Sequence, residues 1–334
     1  MYKLDYEKVF WTLVSETKKY LLDNNLKAMI LGISGGIDST VTAAICYEVS
    51  KQTSIPLIGR SLPIKNKNDE FNTSKLAGEA FCNDFKVVNL IDSYNIMRET
   101  TCDNEDYHDT PISRGNIQAR LRMIYLYNLA SIHNGLVMST DNQTEYQLGF
   151  WTIHGDIGDF DPLQDLWKTE VYGLASYIST YYRTLSTGDD EYLKKAIAIQ
   201  HSITLTPTDG LGISNSDLDQ IGAKSYAEVD AILQDFLAYT EMFSATTKKV
   251  NADRYLAILT YGSDNVSISK EAVLNGNGEK DEVESISWIP VLDIDKYEWA
   301  FNHLNTIKEI IDLDILQMYK NFMNIEKNYA KRTN

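Results

Sequence analysis

"LGISGGIDST", residues 31–40, sets two adjacent glycines and an Asp-Ser pair directly behind an apolar run. Gly35 and Gly36 have no side chain, so the backbone there can turn sharply and present its N–H groups. The run that follows, "STVTAAICYEV", reads as a helix, whose N-terminal end carries unpaired N–H groups and partial positive charge. A glycine turn between a strand and such a helix suits phosphate oxygens. It is neither of the two commonest nucleotide loops, lacking the Lys-Ser/Thr of one and the third glycine of the other. Asp38 beside phosphates would be repelled unless a cation lay between, which argues for Mg²⁺.

Outward from this turn, "KAMILGIS" (27–34) is almost wholly apolar, as a strand buried on both faces is. Further strands are expected over 55–64, 85–91 and 136–140, and helices over 5–22, 69–81 and 117–133. Residues 92–115 are polar and read as a loop. Alternating strands and helices with short links predict an α/β fold: a doubly wound, mostly parallel sheet with helices on both faces. In such sheets ligands bind beyond the carboxyl ends of the strands, where the glycine turn and "TDNQTE" (140–145) both belong. Past residue 250, Leu304, Ile307, Ile311, Ile315, Tyr319 and Phe322 recur at three- and four-residue steps, which predicts a helical C-terminal extension over 251–334.

Composition excludes several classes. The 334 residues are 43% hydrophobic, enough for a large core, and the net charge is −16. Such a surface repels phosphodiester backbones, so nucleic acid is not an expected partner. No stretch reaches the roughly 18 apolar residues of a membrane span. The N-terminus lacks a signal-peptide apolar block. Cys46, Cys82 and Cys102 form no metal-ligand spacing, and a cytoplasmic location is expected.

"SGGIDS" (34–39) resembles the SGGxDS loop of the ATP pyrophosphatase (PP-loop) superfamily, whose members cleave ATP between the α and β phosphates and adenylate a substrate. Three further stretches, "GNIQARLRM" (115–123), "STDNQTEYQLGFWTIHGD" (139–156) and "PTDGLG" (207–212), in that order, are similar to NAD synthetase. "YAEVDAIL" (226–233) is similar to that family's later helix. The resemblance covers residues 5–250, and residues 1–250 are the expected catalytic domain.

Each stretch also has a reading from its own residues. On the 117–133 helix Ile117, Leu121 and Ile124 make the expected buried stripe, with Arg120 at its edge and Arg122 facing away. An Arg beside a core stripe needs an anion, which a nearby acid could supply. Asn142 and Glu145 have capping-box spacing, which alone would account for both. Asp165 would cap the helix "LWKTEVYGLASYI", placing Lys168 in the first turn, where the helix dipole disfavours a cation unless an anion is bound.

What the resemblance implies is more specific. Gly32, Ile33, Ser34, Gly35, Gly36, Ile37, Asp38 and Ser39, with Thr140, Lys168 and Thr208, would contact ATP. Asp38 and Glu145 would hold Mg²⁺, while Arg120, Asp159 and Lys248 would bind nicotinic acid adenine dinucleotide. The chain departs from the family at Ile153, where a substrate-binding lysine is usual, and at Thr247-Lys248, where a His-Lys pair is. The implied reaction is amidation of that dinucleotide by ammonia to NAD, with AMP and pyrophosphate, in a homodimer. Only 33 residues precede the loop and the first cysteine is Cys46, so ammonium rather than glutamine is the expected nitrogen donor. Two rivals share the loop: a transfer onto another acceptor such as tRNA, which the acidic charge opposes, and an ATP-binding sensor without turnover.

Overall fold

The computed structural model describes residues 4–64, 68–101, 110–187, 190–208, 216–234, 237, 272–274 and 280–282. By its contacts the chain divides into two units, Met1–Tyr146 with Phe150–Tyr226, and Gln147–Gly149 with Ala227–Asn334.

The first unit opens with α1 (Tyr6–Asp23), β1 (Met29–Gly32), α2 (Ile37–Thr53), β2 (Leu57–Ser61), α3 (Asn68–Phe81) and β3 (Asp84–Val87). There follow α4 (Ile91–Thr100), α5 (Pro111–His133), β4 (Leu136–Val137), α6 (Gln143–Leu148), α7 (Lys168–Leu185), α8 (Asp190–Thr204) and α9 (Asp217–Ile221). All four strands are parallel, in the order β3-β2-β1-β4, with Met29 beside both Leu57 and Leu136. The order reverses between β1 and β4, which places a topological switch point at their carboxyl ends.

β1, β2 and β4 are buried on both faces, as the continuous apolar runs predict, while the edge strand β3 is partly exposed. Successive side chains alternate between two cores. Met29, Leu31, Leu57 and Leu136 pack with α1, α2, α7 and α8, whereas Ile30, Ile58 and Val137 pack with α4 and α5. Cys46 is fully buried in the first of these cores. The outer edge of β4 is covered by residues 158–160: Asp159 N–H donates to Val137 O (2.7 Å) and Ser139 N–H to Phe160 O (2.8 Å). Gly158 makes this pairing possible, because a Cβ there would lie 2.7 Å from both Ser139 N and Val137 O.

Three expectations need correction. Within the expected loop of 92–115, the described residues are largely helical: α4 is anchored by the fully buried Tyr94, and α5 starts at Pro111 on a Thr110–Ser113 capping box. A threonine before a proline is an ordinary helix start. On α5 the buried positions are Gly115, Gln118, Ala119, Met123, Leu126 and Ala130, while Ile124 is 62% exposed. Met123, Leu126 and Ala130 pack into the core that holds Ile30, Ile58 and Val137, with Ile117 and Leu121 only partly buried against it. Arg122 faces inward, its Nε donating to Leu62 O at 3.2 Å. Finally, α7 is preceded by Trp167 rather than capped by Asp165, and Glu170 Oε2 accepts the Trp167 N–H at 2.9 Å.

In the second unit, residues 227–234 are helical, and β5 (Ala272–Leu274) pairs antiparallel with β6 (Lys280–Glu282). The helix expected over 304–322 lies outside the described residues. No described helix is long and apolar enough to cross a membrane.

Candidate active site

The glycine turn leaves the carboxyl end of β1 and enters α2. Gly35 holds φ at +90°, a value open to glycine and strained for other residues. Gly36 precedes the first turn of α2, which no side chain caps. Two serines brace the loop: Ser34 Oγ lies 2.9 Å from Ser39 Oγ and accepts the Gly36 N–H at 3.2 Å. Ser39 Oγ and Thr40 Oγ1 both donate to Gly36 O, at 3.1 and 2.9 Å. With its own carbonyl satisfied and its helix uncapped, the turn offers N–H groups to an anion.

Asp38 projects from the first turn of α2 toward residues that follow β4. Lys168 Nζ donates to Asp38 Oδ2 at 2.6 Å and to Glu145 Oε1 at 2.8 Å. The lysine is only 2% exposed, so its first-turn ammonium is held inside the protein by these acids rather than solvated at the surface. Burial alone would lower its pKa, but the charges of Asp38 and Glu145 hold it well above the ordinary lysine value. For Glu145, burial pushes the carboxyl up against the pull of Lys168, and the Asp38 charge adds to the rise. Tyr226 closes one side, its ring centroid 5.6 Å from Lys168 Nζ and its hydroxyl donating to Asp217 Oδ2 at 2.9 Å.

Two residues passed over as site residues hold this cluster together. Asn142 Nδ2 donates to Asp38 Oδ1 at 2.9 Å, and Asn142 Oδ1 accepts the Glu145 N–H at 3.1 Å. The capping box between Asn142 and Glu145 therefore exists alongside the Glu145–Lys168 ion pair, and the two readings are compatible. Thr144 Oγ1 accepts the Lys168 backbone N–H at 2.8 Å, joining α6 to the start of α7. The capping spacing was a signal for Asn142; Thr144 has no local signal, its partner being 24 residues away.

Other expected residues have other partners. Arg120 Nε donates to Ile153 O at 3.1 Å. Ile153 itself is 43% exposed. Asp159 accepts Val137 N–H (2.9 Å) and Tyr127 O–H (3.0 Å), which ties it to the edge of β4. Thr140 and Thr208 are half-buried, Thr208 next to Pro207, whose carbonyl accepts the Asp217 N–H at 3.1 Å. Lys248 and Thr247 lie outside the described residues.

Residues 9–261 match the family described as NAD synthase. The chain belongs to the NAD synthase family. It is 28% identical over 231 residues to the NH(3)-dependent NAD(+) synthetase of Campylobacter jejuni, covering 68% of this chain and 82% of that protein. To the NH(3)-dependent NAD(+) synthetase of Finegoldia magna it is 30% identical over 233 residues, 70% of this chain and 86% of that one. Among solved structures, an NMN synthetase from Francisella tularensis superposes with a TM-score of 0.58 at 25% identity, over 70% of this chain and 87% of the other. The NAD synthase fold thus accounts for the parallel sheet and for the loop at its switch point.

Proposed function

We propose that this chain is an ammonia-dependent NAD synthetase, forming the amide of NAD from nicotinic acid adenine dinucleotide at the cost of ATP. The observation that carries the reading is the meeting of Asp38, Glu145 and Lys168 beside the glycine turn. A carboxylate is a poor acceptor for ammonia because its oxygen leaves poorly. Attack of the nicotinate carboxylate on the α-phosphorus of ATP expels pyrophosphate and forms an acyl-adenylate; ammonia then displaces AMP. The chain's part is positioning and charge neutralisation. Residues 32–39 cradle phosphate oxygens with backbone N–H groups, Thr140 and Thr208 add hydroxyl contacts to ATP, and Lys168 offsets charge that builds on the departing pyrophosphate.

The acidic residues suit Mg²⁺. Among the described residues, no three His, Cys, Asp or Glu side chains gather to hold a metal by themselves. Two carboxylates from adjacent elements match an ion that takes its remaining ligands from phosphates and water. Asp38 and Glu145 would hold it, and when bound it supplies positive charge to the phosphates. Arg120, Asp159 and Lys248 are assigned to the dinucleotide, residues 1–250 to the catalytic domain and 251–334 to an extension. A homodimer in the cytosol completes the proposal; exposed Ile124 and Ile132 on α5 favour a covered face.

A second reading is favoured by Ile153. Where relatives are expected to place a lysine against the dinucleotide, this chain offers an exposed apolar side chain. The Francisella tularensis neighbour is named for the mononucleotide. Nicotinic acid mononucleotide presents the same carboxylate without the second nucleotide. Offering both acceptors at equal concentration, with ATP, Mg²⁺ and ammonium, decides between them. Preferential NAD formation is expected; preferential formation of the mononucleotide amide would transfer the assignment.

A further inference from the structure

We infer that Asn142 is a positioning residue for the metal site, fixing Asp38 through its side-chain amide and Glu145 through its backbone N–H and the helix cap made by its Oδ1. The inference rests on the assignment of Asp38 and Glu145 to Mg²⁺. Asn142 is fully buried at the entrance to α6, between the end of β4 and the first turn of α2. Its amide is orientated without ambiguity. Oδ1 faces the Glu145 backbone N–H, which can only donate, so Nδ2 must face Asp38 Oδ1. The return bond, from Asn142 N–H to Glu145 Oε2 at 3.4 Å, completes a loop in which one residue touches the other's backbone and side chain.

Each carboxylate then has one oxygen held by Asn142 and the other by Lys168. Asp38 uses Oδ1 for the Asn142 side-chain amide and Oδ2 for Lys168; Glu145 uses Oε2 for the Asn142 backbone N–H and Oε1 for Lys168. A cation arriving at these acids meets side chains whose rotamers are already set. Glu145 depends on the cap as well, because the Asn142 Oδ1 bond fixes where its backbone begins the helix. Cap and ligand geometry are therefore one device. Partners that orient metal ligands in this way typically change metal affinity by about 10- to 100-fold when removed.

Serine separates the two functions of Asn142. It caps a helix well but is too short to reach Asp38, so Asn142→Ser keeps the α6 start and loses the Asp38 bond. The test measures Mn²⁺, as a paramagnetic stand-in for Mg²⁺, bound to the full chain with a non-hydrolysable ATP analogue. Parent, Asn142→Ser and Asn142→Ala are compared, with melting temperatures recorded in parallel. Asn142→Ser should bind Mn²⁺ about tenfold or more weakly at nearly the parent melting temperature. Asn142→Ala should lose affinity and stability together. A serine variant that binds Mn²⁺ as tightly as the parent overturns the inference. Should the parent bind Mn²⁺ yet make no amide from either acceptor, the proposed function fails while the comparison at Asn142 still decides its own question.

Discussion

Removing the Lys168 ammonium would leave Asp38 and Glu145 facing each other, 15% and 22% exposed at their side chains. Breaking such a buried pair typically costs about 3–5 kcal/mol, because the remaining charge is uncompensated. Lys168→Met should therefore lower the urea midpoint strongly as well as stop turnover, whereas Asp38→Asn, which keeps the Lys168–Glu145 pair, should stop turnover with a smaller loss. Equal stability of parent and Lys168→Met would show that the ammonium does not neutralise the acids. Asp161 responds to pH. Burial pushes its carboxyl up to about 7, although the Leu163 N–H bond opposes the rise. Between its ordinary value and pH 7 the unfolded chain ionises first, so stability falls as pH rises through that window. Asp161→Asn should melt above the parent at pH 8, by on the order of 1 kcal/mol after solvent screening. The difference should close toward pH 4; a difference that stays constant would contradict the assignment. At this scale Asp38, Glu145 and Lys168 were legible because their residue types sit in a recognisable local pattern. Arg122 was not, because its partner carbonyl is 60 residues away and helix periodicity alone misplaced its face.

Among the elements that carry the site α6 is short, with six residues, and it is attached to α7 by the Thr144 Oγ1–Lys168 N–H bond as well as by the Glu145–Lys168 ion pair. Thr144→Ala would leave that buried donor without its acceptor, at roughly 1–3 kcal/mol, while Thr144→Ser should retain most of the stability. Urea titration of both variants checks this; equal losses would mean that the threonine methyl, not the hydroxyl, matters. The strands were legible as apolar runs because both faces of a parallel sheet are buried. α4 was not, since ten residues with one buried aromatic carry little periodic signal. The α5 stripe was displaced because Met123, Leu126 and Ala130 set the face that packs with the strands, leaving Ile117 and Leu121 partly buried and Ile124 exposed.

For the molecule as a whole, strand order explains why the site is where it is. β1 feeds the glycine turn, β4 feeds Asn142 and Glu145, and the reversal between them leaves a crevice into which α7 delivers Lys168. The order of strand, turn and helix pointed to that crevice from sequence, but the direction in which β4 joins the sheet is a property of long-range packing. The central claim is that this crevice supports adenylation, with pyrophosphate as the leaving group. Incubating the full chain with ATP, Mg²⁺, ammonium and nicotinic acid adenine dinucleotide, and quantifying products by mass, tests it most directly. AMP, pyrophosphate and NAD should appear in equal amounts; amide formation accompanied by ADP and inorganic phosphate, or no amide at all, would contradict it.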